Sequence, residues 1–133
     1  HIASHSRLSQ DPSRTYIELG RDKLTLEQIY GLELEPWSLI VLSSCQSAVD
    51  HQAPGKEVTS LSSAFSVAGA STVIAARWKI DDRSTQEFFG YFYNGLMEGK
   101  YRGEAFREAE RKMASKHPHP YYWAGFSLVG DPD

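Results

Sequence analysis

Two short apolar runs stand out in the hydrophobic pattern of the chain, and both predict buried β-strands. Residues 38–44 carry apolar side chains on both strand faces, and residues 71–76 are rich in β-branched side chains. Strands of this kind are typical of the middle of a parallel sheet, where other elements cover both faces. Residues 122–129 predict a last strand, and residues 15–19 alternate like an edge strand or one arm of a hairpin.

A capping signal and apolar positions at helical spacing predict four helices among these strands. Thr25 and Gln28 have the spacing of a capping box, which predicts a short helix that ends near Gly31. The other three helices are predicted over residues 60–68, from 81 or 82 to about 98, and over 103–115.

The remaining segments predict loops and one incomplete strand. Residues 6–14 and 46–59 are mostly polar and contain proline, so we expect exposed loops there. Ile2 and Ala3 predict the end of a strand. The alternation of strands and helices predicts an α/β fold with a mainly parallel sheet, and functional sites of such sheets gather at the carboxyl ends of the strands.

Composition and charge exclude several classes of protein. The chain has 133 residues and a net charge of −3, so it fits one domain without a basic surplus for direct nucleic-acid binding. It has one cysteine, which cannot form an internal disulfide, and no apolar stretch of the roughly 18 residues that a membrane span needs. We expect no cofactor, because the sequence has neither metal-ligand spacing nor a glycine-rich phosphate loop. The start at His1, without a methionine, predicts that upstream residues of the domain are missing.

The single cysteine and one histidine follow two of the predicted strands. Cys45 comes after the first apolar run, and His5 comes after Ile2 and Ala3, so neighbouring strands would bring both side chains to one edge. A nearby imidazole can take the proton of a thiol, which makes the sulfur a nucleophile. The backbone N–H groups of Cys45 and Ser6 could then stabilise an oxyanion. On residue type alone, the alternative that Cys45 is a small buried core residue stays open.

A second polar segment, residues 77–82, follows the other buried strand and should reach the same edge. Either Asp81 or Asp82 can cap the next helix, and the other carboxylate is then available to pair with a basic side chain of a substrate. Trp78 is more typical of a packing residue than of a recognition residue.

Taken together, these segments resemble the CHAT domain, a caspase-like protease domain that is often attached to TPR repeats and is more distantly related to separase and the caspases. The resembling segments occur in family order over nearly the whole chain. They include HIASH at 1–5, IVLSSCQS at 40–47, LSSAFSVAGA at 61–70, VIAARWKIDD at 73–82 and HPYYWAGFSLVGD at 119–131.

The resemblance implies a fold and a reaction. The fold is a caspase-like three-layer α/β sandwich, of which residues 1–133 form the C-terminal part without the N-terminal strands. The reaction is that of a cysteine endopeptidase in which His5 and Cys45 form a catalytic dyad. The family usually has glycine after the histidine, where this chain has Ser6, and a position that needs a positive φ would be strained by serine.

The resemblance also implies a specificity and a setting. By analogy with separase, Asp82, and less directly Asp81 and Trp78, would form the pocket for a basic residue before the cleaved bond of a protein substrate. Family analogy suggests a bacterial cytoplasmic protein, with TPR repeats or a sensor or activator region in the same chain or complex, and with neither nucleic acid nor membrane as a direct partner. Two alternatives stay open: a catalytically silent interaction module, and a small-molecule acyltransferase or amidase that uses the same dyad.

Overall fold

A computed structural model of the chain describes residues 1–9, 11–43 and 56–133, of which residues 56–60 are described by their backbone alone. Cys45 and most of the loop predicted over residues 46–59 lie outside the described residues. The described strands and helices, in chain order, are β1 (Ser6–Arg7), β2 (Tyr16–Leu19), β3 (Asp22–Thr25), α1 (Leu26–Tyr30), β4 (Leu39–Leu42), α2 (Lys56–Val67), β5 (Thr72–Ala76), α3 (Asp82–Met97), α4 (Arg102–Lys116) and β6 (Phe126–Gly130). The fold is therefore mixed α/β.

The main sheet has the strand order β4-β5-β6. β4 and β5 are parallel, with Leu39 opposite Thr72 and Leu42 opposite Ala75. On the other side of β4, Ile2 forms an isolated parallel bridge with Leu42, so the predicted strand end lies beside β4. β6, in contrast, runs antiparallel to β5, so the sheet is mixed and the prediction of a mainly parallel sheet needs correction at its last strand.

The direction of β6 follows from the two helices that precede it. A single crossover helix returns the chain to the amino edge of a sheet, and the next strand is then parallel. Here α3 leads the chain away from the carboxyl end of β5, and α4 packs against α3 and leads it back. The chain therefore reaches β6 at the carboxyl edge and has to run antiparallel to β5.

A second, smaller sheet is antiparallel and has the order β1-β2-β3. β2 and β3 form the hairpin that residues 15–19 predicted in part, and Gly20 occupies its turn with a φ of +66°. Ser6 and Arg7 pair with Ile17 and Tyr16, so a strand begins where the sequence predicted a loop over residues 6–14. β1 and β3 were missed because they are short and have too few apolar side chains to show alternation.

The helices begin and end close to the predicted positions. Thr25 and Gln28 form the predicted capping box of α1: each side chain accepts a hydrogen bond from the backbone N–H of the other residue, at 3.2 and 2.9 Å. α2 begins at Lys56, four residues before the predicted start, and α4 spans one residue more at each end than predicted.

Two hydrophobic clusters lie on opposite faces of the main sheet, because neighbouring residues of a strand point to opposite sides. Val41 and Ile74 belong to the cluster that α3 and α4 cover. Leu42 and Val73 belong to the cluster that α1, α2 and the small sheet cover. Helices thus pack on both faces of the sheet. That this arrangement is a caspase-like sandwich stays a prediction. No helix in the described part of the chain combines the length and the apolarity needed to cross a membrane.

Candidate active site

Two chain segments leave the main sheet side by side at its carboxyl edge. The N–H of Ile2 donates to the carbonyl of Val41 at 2.7 Å, and the N–H of Ser43 donates to the carbonyl of Ile2 at 3.2 Å. This parallel pairing means that His5, three residues after Ile2, and Ser43, at the end of β4, follow their strands at the same edge. Cys45 comes two residues after Ser43 in the sequence but lies outside the described residues.

The backbone of His5 is held by hydrogen bonds, and its imidazole is exposed. The carbonyl of His5 accepts a hydrogen bond from the N–H of Glu18 at 2.8 Å. The hydroxyl of Ser4 donates to the carbonyl of Glu18. The small sheet therefore holds the backbone that carries His5, and the side chain is left available for chemistry.

Ser6 has an unstrained backbone in an extended strand. No non-glycine residue among those described has a positive φ, so serine fits this position without the strain considered from the sequence. The bond from Glu18 to His5 makes Ser6 and Ile17 a non-hydrogen-bonded pair of the antiparallel ladder. The N–H of Ser6 consequently points away from β2, while its side chain is buried.

A cleft of about 690 Å³ lies beside His5. One side is formed by His1, Ala3, Ser4 and His5, together with Ser43 at the end of β4. The opposite side is formed by the segment after β5 and by one face of α3. The cleft therefore lies between two parts of the chain. One part contains the two strand ends that the sequence placed at one edge, and the other is the start of α3.

The α3 side of the cleft changes from polar to aromatic along the helix. Asp82, Thr85 and Gln86 line its first turn and a half, and Phe89 and Tyr93 follow at helical spacing. The hydroxyl of Tyr93 lies 2.8 Å from Nδ1 of His1. Burial raises the pKa of Tyr93, so this phenol stays protonated through the ordinary pH range.

The two adjacent aspartates have different surroundings. Asp81 is the N-cap of α3, where a side-chain oxygen accepts a hydrogen bond from the N–H of Ser84 at 3.0 Å, and this bond lowers the pKa of Asp81. Asp82 is the first residue of the helix, is exposed and lines the cleft. The structure therefore places Asp82, but not Asp81, among the described residues of the cleft.

Trp78 precedes the cleft residue Lys79 in the chain and packs against the cluster under α3 and α4. Its indole N–H donates to the carbonyl of Tyr121 at 3.1 Å, and the hydroxyl of Tyr121 donates to the carbonyl of Lys79 at 2.6 Å. These two bonds fix the backbone that leads from β5 to α3. Trp78 is not among the described residues that line the cleft, so its contacts are those of a packing residue.

Sequence reasoning assigned no role to several residues of the cleft, among them Lys79, Gln86 and Tyr93. Their positions in the sequence could have identified them. Lys79 lies in the segment predicted to reach the sheet edge, and Gln86 and Tyr93 share the helical face of Asp82 and Phe89. In the described part of the chain, no three His, Cys, Asp or Glu side chains are grouped so that they could hold a metal ion.

Comparisons with known proteins agree with the resemblance seen in the sequence. The family model of the CHAT domain matches residues 1–131. Tetratricopeptide repeat protein 28 from Homo sapiens is 33% identical over 109 residues, which cover 80% of this chain and 4% of that protein, and its counterpart from Mus musculus matches to the same extent. The chain therefore spans a small part of these relatives, whose mammalian origin gives no support to a bacterial source. The chain belongs to the CHAT domain family.

Proposed function

We propose that this domain is a cysteine endopeptidase in which His5 and Cys45 form the catalytic dyad. The observation that carries the proposal is the parallel pairing of Ile2 with Leu42. The residues that follow this pair on the two segments, His5 and Ser43, line one cleft. Cys45 follows Ser43 after a single intervening residue, and two residues of extended chain reach roughly 7 Å. This short separation in the sequence supports the proposal that the sulfur reaches the same cleft.

The proposed reaction uses the two side chains in sequence. His5 takes the thiol proton, Sγ of Cys45 bonds to the scissile carbonyl carbon, and the carbonyl oxygen becomes an oxyanion. We assign the N–H groups of Cys45 and Ser6 to that oxyanion. The Ser6 N–H is available for this role because it points away from β2, although Ser6 is not among the described residues that line the cleft. The carbon–nitrogen bond then breaks as His5 gives its proton to the leaving amine. Water, deprotonated by His5, attacks the acyl-enzyme and releases the second product together with the free thiol.

The proposed cleavage site follows a basic residue of the substrate. Asp82 supports this specificity because it is exposed, lines the cleft and belongs to the first turn of α3, where the helix dipole favours a negative charge. A guanidinium or ammonium group of the substrate can pair with that carboxylate by charge-assisted hydrogen bonds. Asp81 acts through the helix that it caps, and Trp78 acts through the backbone that it fixes.

Substitution of the nucleophile tests the proposal. In the full-length protein, Cys45→Ala should abolish cleavage of a peptide library with a basic residue before the cut, read by mass spectrometry, while circular dichroism stays unchanged. His5→Asn should have the same effect, and the matched control His119→Asn, at an exposed histidine outside the cleft, should retain cleavage. Retained cleavage by Cys45→Ala would overturn the dyad. Absence of cleavage by the wild type, together with no selective labelling of Cys45 by a thiol reagent, would favour the silent interaction module.

A further inference from the structure

Lys79 differs from the other lysines whose side chains the structure describes. Lys100, Lys112 and Lys116 each contact a glutamate carboxylate at 2.5–2.8 Å. Lys23 lies over the ring of Tyr16, with its ammonium 4.2 Å from the ring centroid. Within the described residues, Lys79 has no carboxylate at ion-pair distance, yet it is exposed and lines the cleft.

Asp82 is also an exposed charged residue without an ion pair among the described residues, but its charge is negative. It lines the cleft, and no lysine, arginine or histidine of the described residues lies within ion-pair distance of its carboxylate. Lys79 and Asp82 are only three residues apart, but they do not pair with each other. The cleft thus contains one cation and one anion that the described part of the chain leaves uncompensated.

The backbone of the segment between these two residues is anchored on both sides. Ile80 is buried in the cluster under α3 and α4, and Asp81 is bound to the N–H of Ser84 as the N-cap. On the other side, the hydroxyl of Tyr121 holds the carbonyl of Lys79 at 2.6 Å. Both ends of the segment are anchored, so the backbone positions of the two charged residues are set by packing and hydrogen bonds.

We propose that Lys79 is a second specificity-determining residue, which binds an acidic side chain of the substrate while Asp82 binds a basic one. This inference rests on the proposed function. The substrate class is then a peptide segment that carries both charges within the length of the cleft. Charged residues whose backbone is anchored in a concave site present their side chains from set positions, so they can discriminate between peptides that present or lack the complementary charge.

The experiment compares paired peptides that share one basic residue before the cut and carry glutamate or glutamine at each nearby position in turn. For the wild-type full-length protein, we expect glutamate at one position to raise kcat/KM about tenfold over glutamine. Lys79→Met should remove this preference, and Lys79→Glu should replace it with a preference for lysine at the same position. The matched control Lys23→Met, at a lysine outside the cleft, should leave the preference unchanged.

The outcomes separate this inference from the proposed function. Equal kcat/KM for the glutamate and glutamine peptides at all positions, or a preference that survives in Lys79→Met, would overturn the inference and leave the endopeptidase in place. If no peptide is cleaved, the proposed function fails, and fluorescence anisotropy with the same labelled peptides decides the inference. Tighter binding of a glutamate peptide that Lys79→Met abolishes supports it, and equal binding by both proteins overturns it.

Discussion

Asp81 and Asp82 show how neighbouring residues of one type acquire different roles from the backbone around them. The Asp81 carboxylate points back onto the first turn of α3 and accepts the hydrogen bond from Ser84 that would otherwise need water. Asp82 already has helical geometry and cannot cap its own helix, so its side chain stays exposed beside the cleft. The sequence could indicate that one of the two carboxylates is spare, but only the backbone conformation decides which one.

Loss of the N-cap should therefore lower stability more than loss of its neighbour. We expect Asp81→Ala to reduce the free energy of unfolding by about 1 kcal/mol, measured by urea denaturation. Asp82→Ala should reduce it by only about 0.3–0.5 kcal/mol, because solvent and salt screen the interaction of an exposed carboxylate with the helix dipole. A larger loss for Asp82→Ala than for Asp81→Ala would contradict the assignment of the cap.

At the scale of elements, the sequence could predict what depends on local chemistry. The capping box of α1, strand β5 and the limits of α3 follow from side chains within a few residues of each other, and the structure confirms them. The direction of β6 could not be predicted in this way, because it depends on α3 and α4 packing as a pair. The α3 wall of the cleft beyond Asp82 was missed for a similar reason, since the face of α3 that lines it is set by how the helix packs on the sheet.

One polar cluster joins the start of α3 to the end of α4. Glu87 accepts a hydrogen bond from Lys116 at 2.6 Å and from Tyr91 at 3.0 Å, and its other oxygen lies 3.1 Å from Nε2 of His117. These contacts lower the pKa of Glu87 from 4.5 to about 2, and the hydrogen bond from Lys116 has the largest effect. The same ion pair raises the pKa of Lys116 to about 12. The charged form of Glu87 is therefore the one that the folded protein favours.

This cluster should make stability depend on pH in an acidic window. Because the folded-state pKa of Glu87 is depressed, its contribution is complete above about pH 4.5 and is lost as the pH falls toward about 2. We expect the urea midpoint of the wild type to fall across this window by more than that of Glu87→Gln. The control Glu33→Gln, at an exposed glutamate without an ion pair in the described part of the chain, should follow the wild type. Parallel midpoint curves for all three proteins would contradict this role of the cluster.

At the scale of the whole molecule, the segment over residues 1–7 joins the two sheets. Ile2 bonds to β4 of the main sheet, and Ser6 and Arg7 pair with β2 of the small sheet. His5 lies between these two attachments, so its position depends on both sheets at once. The sequence placed His5 after a strand end but could not show the second attachment, because β1 is only two residues long.

The two sheets should therefore unfold together, and a buried residue of the hairpin tests this. Ile17 is 2% exposed and packs in the cluster that also contains Leu42, Phe65 and Val73. Ile17→Ala should lower the free energy of unfolding by about 2–5 kcal/mol, because it leaves a cavity between the small sheet and the main sheet. Urea unfolding followed by far-ultraviolet circular dichroism and by tryptophan fluorescence should still give coincident transitions. An early transition in circular dichroism alone would mean that the hairpin unfolds separately. His5 would then lose its attachment to the small sheet before the main sheet unfolds.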